Sequence, residues 1–231
     1  MTNSVKIFTY NVQFGSNDAT MDLITQVDAD IVALQEVTNI IANERALSIA
    51  EYASALSYEY VAIPSELNVW DYGLIILSRY NITSTNFITI REDEVLSRGI
   101  LIAELDINGT LINVINSHLD IPLRYVRRFQ HVQSILDIID YSKPLILLGD
   151  FNTPNYLIDI SYWSLFSHLQ DAWIASGKTP FLGKTWHVCF PFLRIDYIWI
   201  NHLCTVVKHT ADLVWNRSSS DHRGLMVSVT I

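Results

Sequence analysis

Carboxylates, carboxamides and imidazoles recur at one kind of place in this 231-residue sequence, the polar end of an apolar run. KIFTYN ends on Asn11, DIVALQE on Glu36, LINVINSH on His118, and LILLGDFN on Asp150 and Asn152. RIDYIW carries Asp196 early in its run, and SSSDHRG sets Ser220, Asp221 and His222 just before the last one. A cap or a turn explains any single case, because Asp, Asn and Gly favour tight reversals. Their recurrence asks for more. If these runs are strands that share an orientation, one rim of the sheets gathers an acid-rich, histidine-bearing cleft.

Such a cleft suits phosphoester hydrolysis at a hard divalent metal. Mg²⁺ needs only one or two carboxylates and keeps several waters, with Mn²⁺ as a substitute. The metal screens phosphate charge and stabilises the leaving oxygen. An Asp or His on a rigid strand tip can take a proton from water. Asn side chains orient phosphate or nucleophile without adding repulsion. The sequence has no GxxxxGK[ST], GxSxG, HExxH or CxxC that would point to other chemistries.

The elements that must position these groups are legible as alternating strand and helix patterns. Val5–Val12, Ile31–Val37, Gly73–Ser78, Gly99–Leu105, Leu111–Ser117, Leu145–Gly149, Ile195–Ile200 and Gly224–Ile231 read as strands. The unbroken apolar run Leu145–Leu148 predicts burial on both faces. Helices are expected over 40–57, 124–140, Met21–Val27 and Ile160–Leu169. In 124–140, Phe129, Val132, Leu136 and Ile139 share one face, and Arg124, Arg127, Arg128 and His131 another. No linker or repeat divides the chain, so residues 1–231 read as one α/β domain.

Bulk composition narrows the partners. Half the residues are hydrophobic, enough for a large core. No apolar run approaches the length of a membrane helix. MTNSVKIFTYN lacks a charged-then-apolar leader, which predicts a cytoplasmic location and makes the sequons at Asn81, Asn108 and Asn216 chance matches. Cys189 and Cys204 are too few for a disulfide framework or a zinc site. A net charge of −9 weighs against a duplex binder, although a local patch or bound cations can reverse the field at a cleft.

TYN at 9–11, LQEV at 34–37, His118–Leu119–Asp120, GDFN at 149–152, RIDYIW at 194–199 and SDH at 220–222 resemble, in order, the motifs of the endonuclease/exonuclease/phosphatase superfamily. YGLIILSRYNI (72–82) and SRGILIAEL (97–105) also resemble family strands. The resemblance implies a DNase I-like fold, a four-layer αββα sandwich of two mostly antiparallel mixed sheets packed face to face. It implies Glu36 as the principal metal ligand, with Asn11 and Asp221 near the ion. Asp150 would orient or deprotonate the attacking water, and Asn152 would hold the water or the phosphate. His222 would contact the phosphate with Asp196 fixing its tautomer, and His118 would touch a phosphate oxygen or assist the leaving group. The base is Asp150 or the Asp196–His222 pair. The expected activity is an Mg²⁺-dependent phosphodiesterase of nuclease or DNA-end-processing type. The alternatives are a phospholipid or other small phosphodiester substrate, and a silent scaffold, against which the full residue set argues. Gln13 stands where abasic-site nucleases and tyrosyl-DNA phosphodiesterases carry Asp. Leu193–Tyr197 departs from the Trp-Cys-Asp-Arg of inositol-polyphosphate 5-phosphatases.

Two secondary features have a functional and a plain reading. Arg124, Arg127, Arg128 and His131 could grip a phosphate beyond the scissile one, though a solvated helix face is favoured. Phe181, Leu182, Trp186, Phe190, Phe192 and Leu193 could form a lip for a lipid or unpaired base. Composition favours their packing beneath the loop. His187 reads as a surface histidine rather than a ligand, and Trp70 and Trp215 as core.

Overall fold

A computed structural model describes residues 4–64, 73–91, 98–153 and 159–231. Trp70 and the ends of the quoted motifs at Tyr72 and Ser97 lie outside the described residues. The strands, in chain order, are β1 (Ser4–Asn11), β2 (Ile31–Gln35), β3 (Ile41–Ala42), β4 (Arg45–Ala46), β5 (Tyr60–Ala62), β6 (Ile75–Ser78), β7 (Asn81–Arg91) and β8 (Arg98–Ile107). They continue with β9 (Thr110–His118), β10 (Leu145–Asp150), β11 (Gln170–Asp171), β12 (Asp196–Ile200), β13 (Thr205–Val206), β14 (Asp212–Val214) and β15 (Gly224–Thr230). Helices are α1 (Asp18–Val27), α2 (Ile49–Ala55), α3 (Tyr125–Ile138), α4 (Ile160–Phe166) and α5 (Ala172–Ala175).

One sheet has the order β13-β15-β1-β2-β6-β5, with β14 also on β15, and the other the order β11-β12-β10-β9-β8-β7. Each is antiparallel except for one central pair, β1 with β2 and β9 with β10. The inner faces share a core of small and branched side chains, among them Ile7, Ala33, Ala103, Ile146, Leu148, Ile198 and Val227. The outer face of the first sheet packs Phe8, Val32 and Leu34 on Leu23, Ile24 and Tyr52 of α1 and α2. The second packs Ile115, Leu147 and Trp199 on Val132, Ile135 and Leu165 of α3 and α4. Two sheets face to face under helices are the expected four layers. Every residue of β10 is buried, as its unbroken apolar run requires.

Several local expectations need correction. Residues 40–57 are not one helix: β3 and β4 form a tight hairpin, with Asn43 and Glu44 at positive φ, before α2 begins. The start signal was present, since Ser48 and Glu51 form a capping box at the head of α2. The long strand β7, NITSTNFITIR, is the outer edge of its sheet, and its polar residues disguised it. On α3 the arginine face is not simply solvated, for Arg128 and His131 are buried beside Val132 and Ile135. Trp215 is not core; it is half-exposed, with the Arg223 guanidinium 4.2 Å from its ring centroid. No helix among the described residues is long and apolar enough to cross a membrane.

Candidate active site

The topology explains why the chemistry-bearing residues meet. Because β1 runs parallel to β2 and β9 to β10, Asn11, Glu36, His118 and Asp150 all lie at the same rim. Antiparallel β12 and β15 begin at that rim, where Asp196 sits opposite Asp150 and His222 just precedes β15. The two sheets are tied just below it by buried polar side chains. Gln35 Nε2 donates to Asn116 Oδ1 across the sheets at 2.8 Å, and Asn116 Nδ2 donates to the carbonyls of Leu34 and Ile75. Glu36 follows Gln35 directly and His118 lies two residues past Asn116, so this tie fixes the spacing of the rim.

Backbone geometry presents the side chains. Glu36 has φ 62° and Asn152 φ 49°, a left-handed conformation that is uncommon for residues other than glycine. Gly149, at φ 140°, allows β10 to approach β9, since a Cβ there would lie 1.9 Å from the carbonyl oxygen of Ser117.

Asn11 is the hub. Its Nδ2 donates to Glu36 Oε1 and to Asp150 Oδ2, both at 3.0 Å. Glu36 Oε2 accepts from the Phe14 backbone N–H at 3.3 Å, and Asp150 Oδ1 from that of Asn152 at 2.9 Å. His118 Nε2 lies 3.4 Å from Asp150 Oδ2 and 3.2 Å from Asn152 Nδ2, which also donates to the Leu119 carbonyl. His222 donates from Nδ1 to Asp196 Oδ2 at 3.0 Å, leaving Nε2 3.8 Å from Asp150 and 3.9 Å from Asp221. Behind the pair, Thr185 Oγ1 accepts the backbone N–H groups of Ile195 and Asp196. Asp221 is held by Trp186, whose Nε1 donates to Oδ2 at 2.9 Å, and its N–H donates to Gln13 Oε1.

The field follows from this gathering of acids. Asp150 is pushed up to about 7, first by burial and then by the Asp196 charge, against the pull of His222, Asn152 and Asn11. Burial alone would lower His222, but Asp196, Asp150 and Asp221 outweigh it and hold the ring at about 10. Burial, with Arg98 and His222 nearby, holds His118 well below the ordinary histidine range, so it is a neutral imidazole. Asp150, Asp196 and His222 offer ligand atoms within 4.8 Å of one another, yet a cationic His222 donating to Asp196 is a poor metal ligand. The carboxylate oxygens of Glu36 and Asp150, bridged by the Asn11 amide N–H groups while its Oδ1 accepts from the Gln13 N–H, are the better seat. Asp150 is raised first by burial and then by the Asp196 charge, and a divalent ion would offset both by supplying positive charge in place of the lost solvent.

All eight rim residues expected from sequence therefore meet at one place, Asp221 reaching the others through His222. The arginines do not join them. Arg128 donates to the Ile121 carbonyl and to Asp159, Arg124 lies 3.6 Å from Asp120, and none of Arg124, Arg127 and Arg128 lines the cavity over the rim. Arg98, Trp186 and Thr185 were not singled out as site residues. Thr185 and Arg98 carry no local sequence signal, whereas Gln35 and Asn116, polar inside apolar runs, did.

The sequence and the fold have counterparts elsewhere. Residues 8–222 match the model of the Endonuclease/Exonuclease/phosphatase family. YbhP of Escherichia coli is 25% identical over 232 residues, spanning 90% of this chain and 86% of its own. An endonuclease/exonuclease/phosphatase from Beutenbergia cavernae superposes with a TM-score of 0.80 at 20% identity, over 99% of this chain and 72% of that one. A mannosyl-6-phosphatase from Bacteroides thetaiotaomicron gives 0.75 at 18% identity, over 98% of this chain and 100% of its own.

Proposed function

The chain belongs to the endonuclease/exonuclease/phosphatase family, and on that premise we propose that it is a divalent-metal-dependent phosphodiesterase. The observation that carries this reading is the Asn11 amide bridging Glu36 and Asp150 beside the Asp196–His222 pair. Glu36 and Asp150 would hold Mg²⁺ or Mn²⁺, with Asn11 and Asp221 nearby; when bound, the ion supplies a counter-charge to the phosphate and to the leaving oxygen.

The chain's own groups then divide the work. Asp150, a buried carboxylate at the tip of β10, takes the proton of the water that forms the new P–O bond. Asn152 holds that water or a phosphate oxygen. His222, a cation fixed by Asp196, offers Nε2–H to a phosphoryl oxygen as charge builds there. Neutral His118 contributes a hydrogen bond rather than a charge. The P–O bond to the leaving alkoxide breaks as water attacks from the opposite side. The nuclease or end-processing form would call for cations that flank the scissile phosphate. The cavity has one arginine on its described wall, Arg98, and several apolar side chains, which favours the second reading of a small phosphodiester.

The test is hydrolysis of single- and double-stranded DNA, RNA, 5′-tyrosyl DNA, sphingomyelin and an aryl phosphodiester with Mg²⁺ or Mn²⁺. Asp150→Asn and His222→Ala are expected to lose at least about a hundredfold, the low end for an acid–base group. Turnover that survives EDTA, or both substitutions, overturns the mechanism.

A further inference from the structure

The cavity over the rim, about 350 Å³, has two unlike walls. One is the polar rim with Glu36, His118, Asp150, Asn152 and His222; the other is Phe14, Ile121, Trp186, Leu193 and Ile195. The apolar wall continues outward. Phe192, 55% exposed, packs edge-on against Trp186 with centroids 5.0 Å apart, and Phe190 beyond it is 82% exposed. Phe14, which also lines the cavity, is 65% exposed. The expectation that these loop aromatics pack beneath the loop is therefore not met, since Phe181 and Leu182 are exposed as well.

Exposed phenylalanines at a cavity mouth have a cost in water that a bound apolar group removes. The wall is also built into the site rather than draped over it. Trp186 donates to Asp221, the Val188 N–H donates to the Asp221 carbonyl, and Trp186 bridges to His222. An apolar group against this wall would lie beside the phosphate that His222 contacts.

Resting on the phosphodiesterase reading, we infer that the substrate's phosphate carries a neutral apolar substituent, alkyl or aryl, lodged against Phe14 and the Trp186–Phe192 wall. A polynucleotide would bring further negative charge to a cavity whose described lining holds two cations, Arg98 and His222, the second already engaged by Asp196.

Monoalkyl phosphonates test the wall without turnover, because they have no ester bond to cut. Binding of methyl- and hexylphosphonate to the Mg²⁺-loaded protein is measured by calorimetry, below the concentration at which the longer one aggregates. Hexylphosphonate is expected to bind more than about tenfold tighter, which burial of two methylenes supplies. Phe14→Ser and Phe192→Ser are expected to reduce that ratio. Equal affinities, no binding of hexylphosphonate, or a gain only above its aggregation concentration overturn the inference. The methyl and hexyl p-nitrophenyl phosphodiesters separate it from the parent reading. Turnover of both diesters together with equal phosphonate affinities keeps the phosphodiesterase and removes the apolar subsite. Chain-length-dependent binding with no turnover does the reverse.

Discussion

The molecule buries charge in two different ways. Away from the rim, Arg128 meets Asp159 and Arg194 meets Asp171, one cation to one anion. The remaining oxygens are used too. Asp159 caps α4 through the Ser161 N–H, and Asp171 caps α5 through the Trp173 N–H while accepting from Tyr162. At the rim, Glu36, Asp150, Asp196 and Asp221 face a cationic His222, and Asp196 Oδ1 has no hydrogen-bond partner. These charge-matched pairs, whose carboxylate oxygens are all used although the Arg128 and Arg194 Nε groups have no hydrogen-bond partner among the described residues, are architecture: they lock α3 to α4 and the RIDYIW turn to α5. The unsaturated cluster retains lone pairs and a charge deficit, which a fold has no need of and a reaction does.

The largest effect expected from this contrast is on stability, away from the rim. Arg128→Met leaves Asp159 buried without its cation and should lower unfolding free energy by about 3–5 kcal/mol, read by urea denaturation. Turnover per folded molecule should fall far less than in the rim variants. A large loss of turnover with an intact fold would instead make Arg128 a phosphate-binding group. At the rim the signs reverse. Asp150→Asn should lose at least about a hundredfold in kcat and yet unfold no more easily than the parent at pH 8, since the neutral amide removes an excess buried anion. If Asp150→Asn is destabilised as strongly as Arg128→Met, the two kinds of buried charge are not distinct.

A smaller effect concerns the metal. A divalent ion at ten times its Kd should stabilise the parent by about 1.4 kcal/mol, from the linkage relation RT ln(1 + [L]/Kd). Glu36→Gln should remove most of that increment, whereas Asp171→Asn should leave the increment intact on a weakened fold. Equal increments in the parent and Glu36→Gln would move the metal seat away from the Asn11 hub.

These contrasts were unevenly legible in the sequence. The rim residues were, because a polar group ending a buried strand interrupts an apolar pattern, and the interruption recurs. Charge-matched pairs were not: Arg128 on α3 reads as a surface arginine until Asp159, thirty-one residues away, is brought against it. A composition rich in Ala, Glu and Leu likewise predicted a helix through 41–46, where a hairpin turn at Asn43–Glu44 prevailed. Exposure of Phe190 and Phe192 had no signal at all, since composition cannot tell an apolar loop that is covered from one that is not.

The smallest effect, and the most specific, is how stability depends on pH in the presence of a chelator. The Asp150 carboxyl titrates near 7 in the folded chain and near 3.9 unfolded. Between those values the folded state holds a proton that the unfolded state has released, so stability falls as pH rises from about 4 to about 7. His222, held up at about 10 when folded and near 6.5 unfolded, adds stability that is complete below about 6.5 and lost as pH rises through about 10. Asp150→Asn should flatten the lower window and His222→Gln the upper, each relative to the parent by urea denaturation across pH. Added Mg²⁺ should shrink the lower window more than the upper, because the ion and the proton compete for one carboxylate while Asp196, the strongest of the charges holding His222 up, keeps its pair. If Mg²⁺ instead shrinks the upper window more, the ion sits on Asp196 and His222, and the division of labour at the rim must be redrawn.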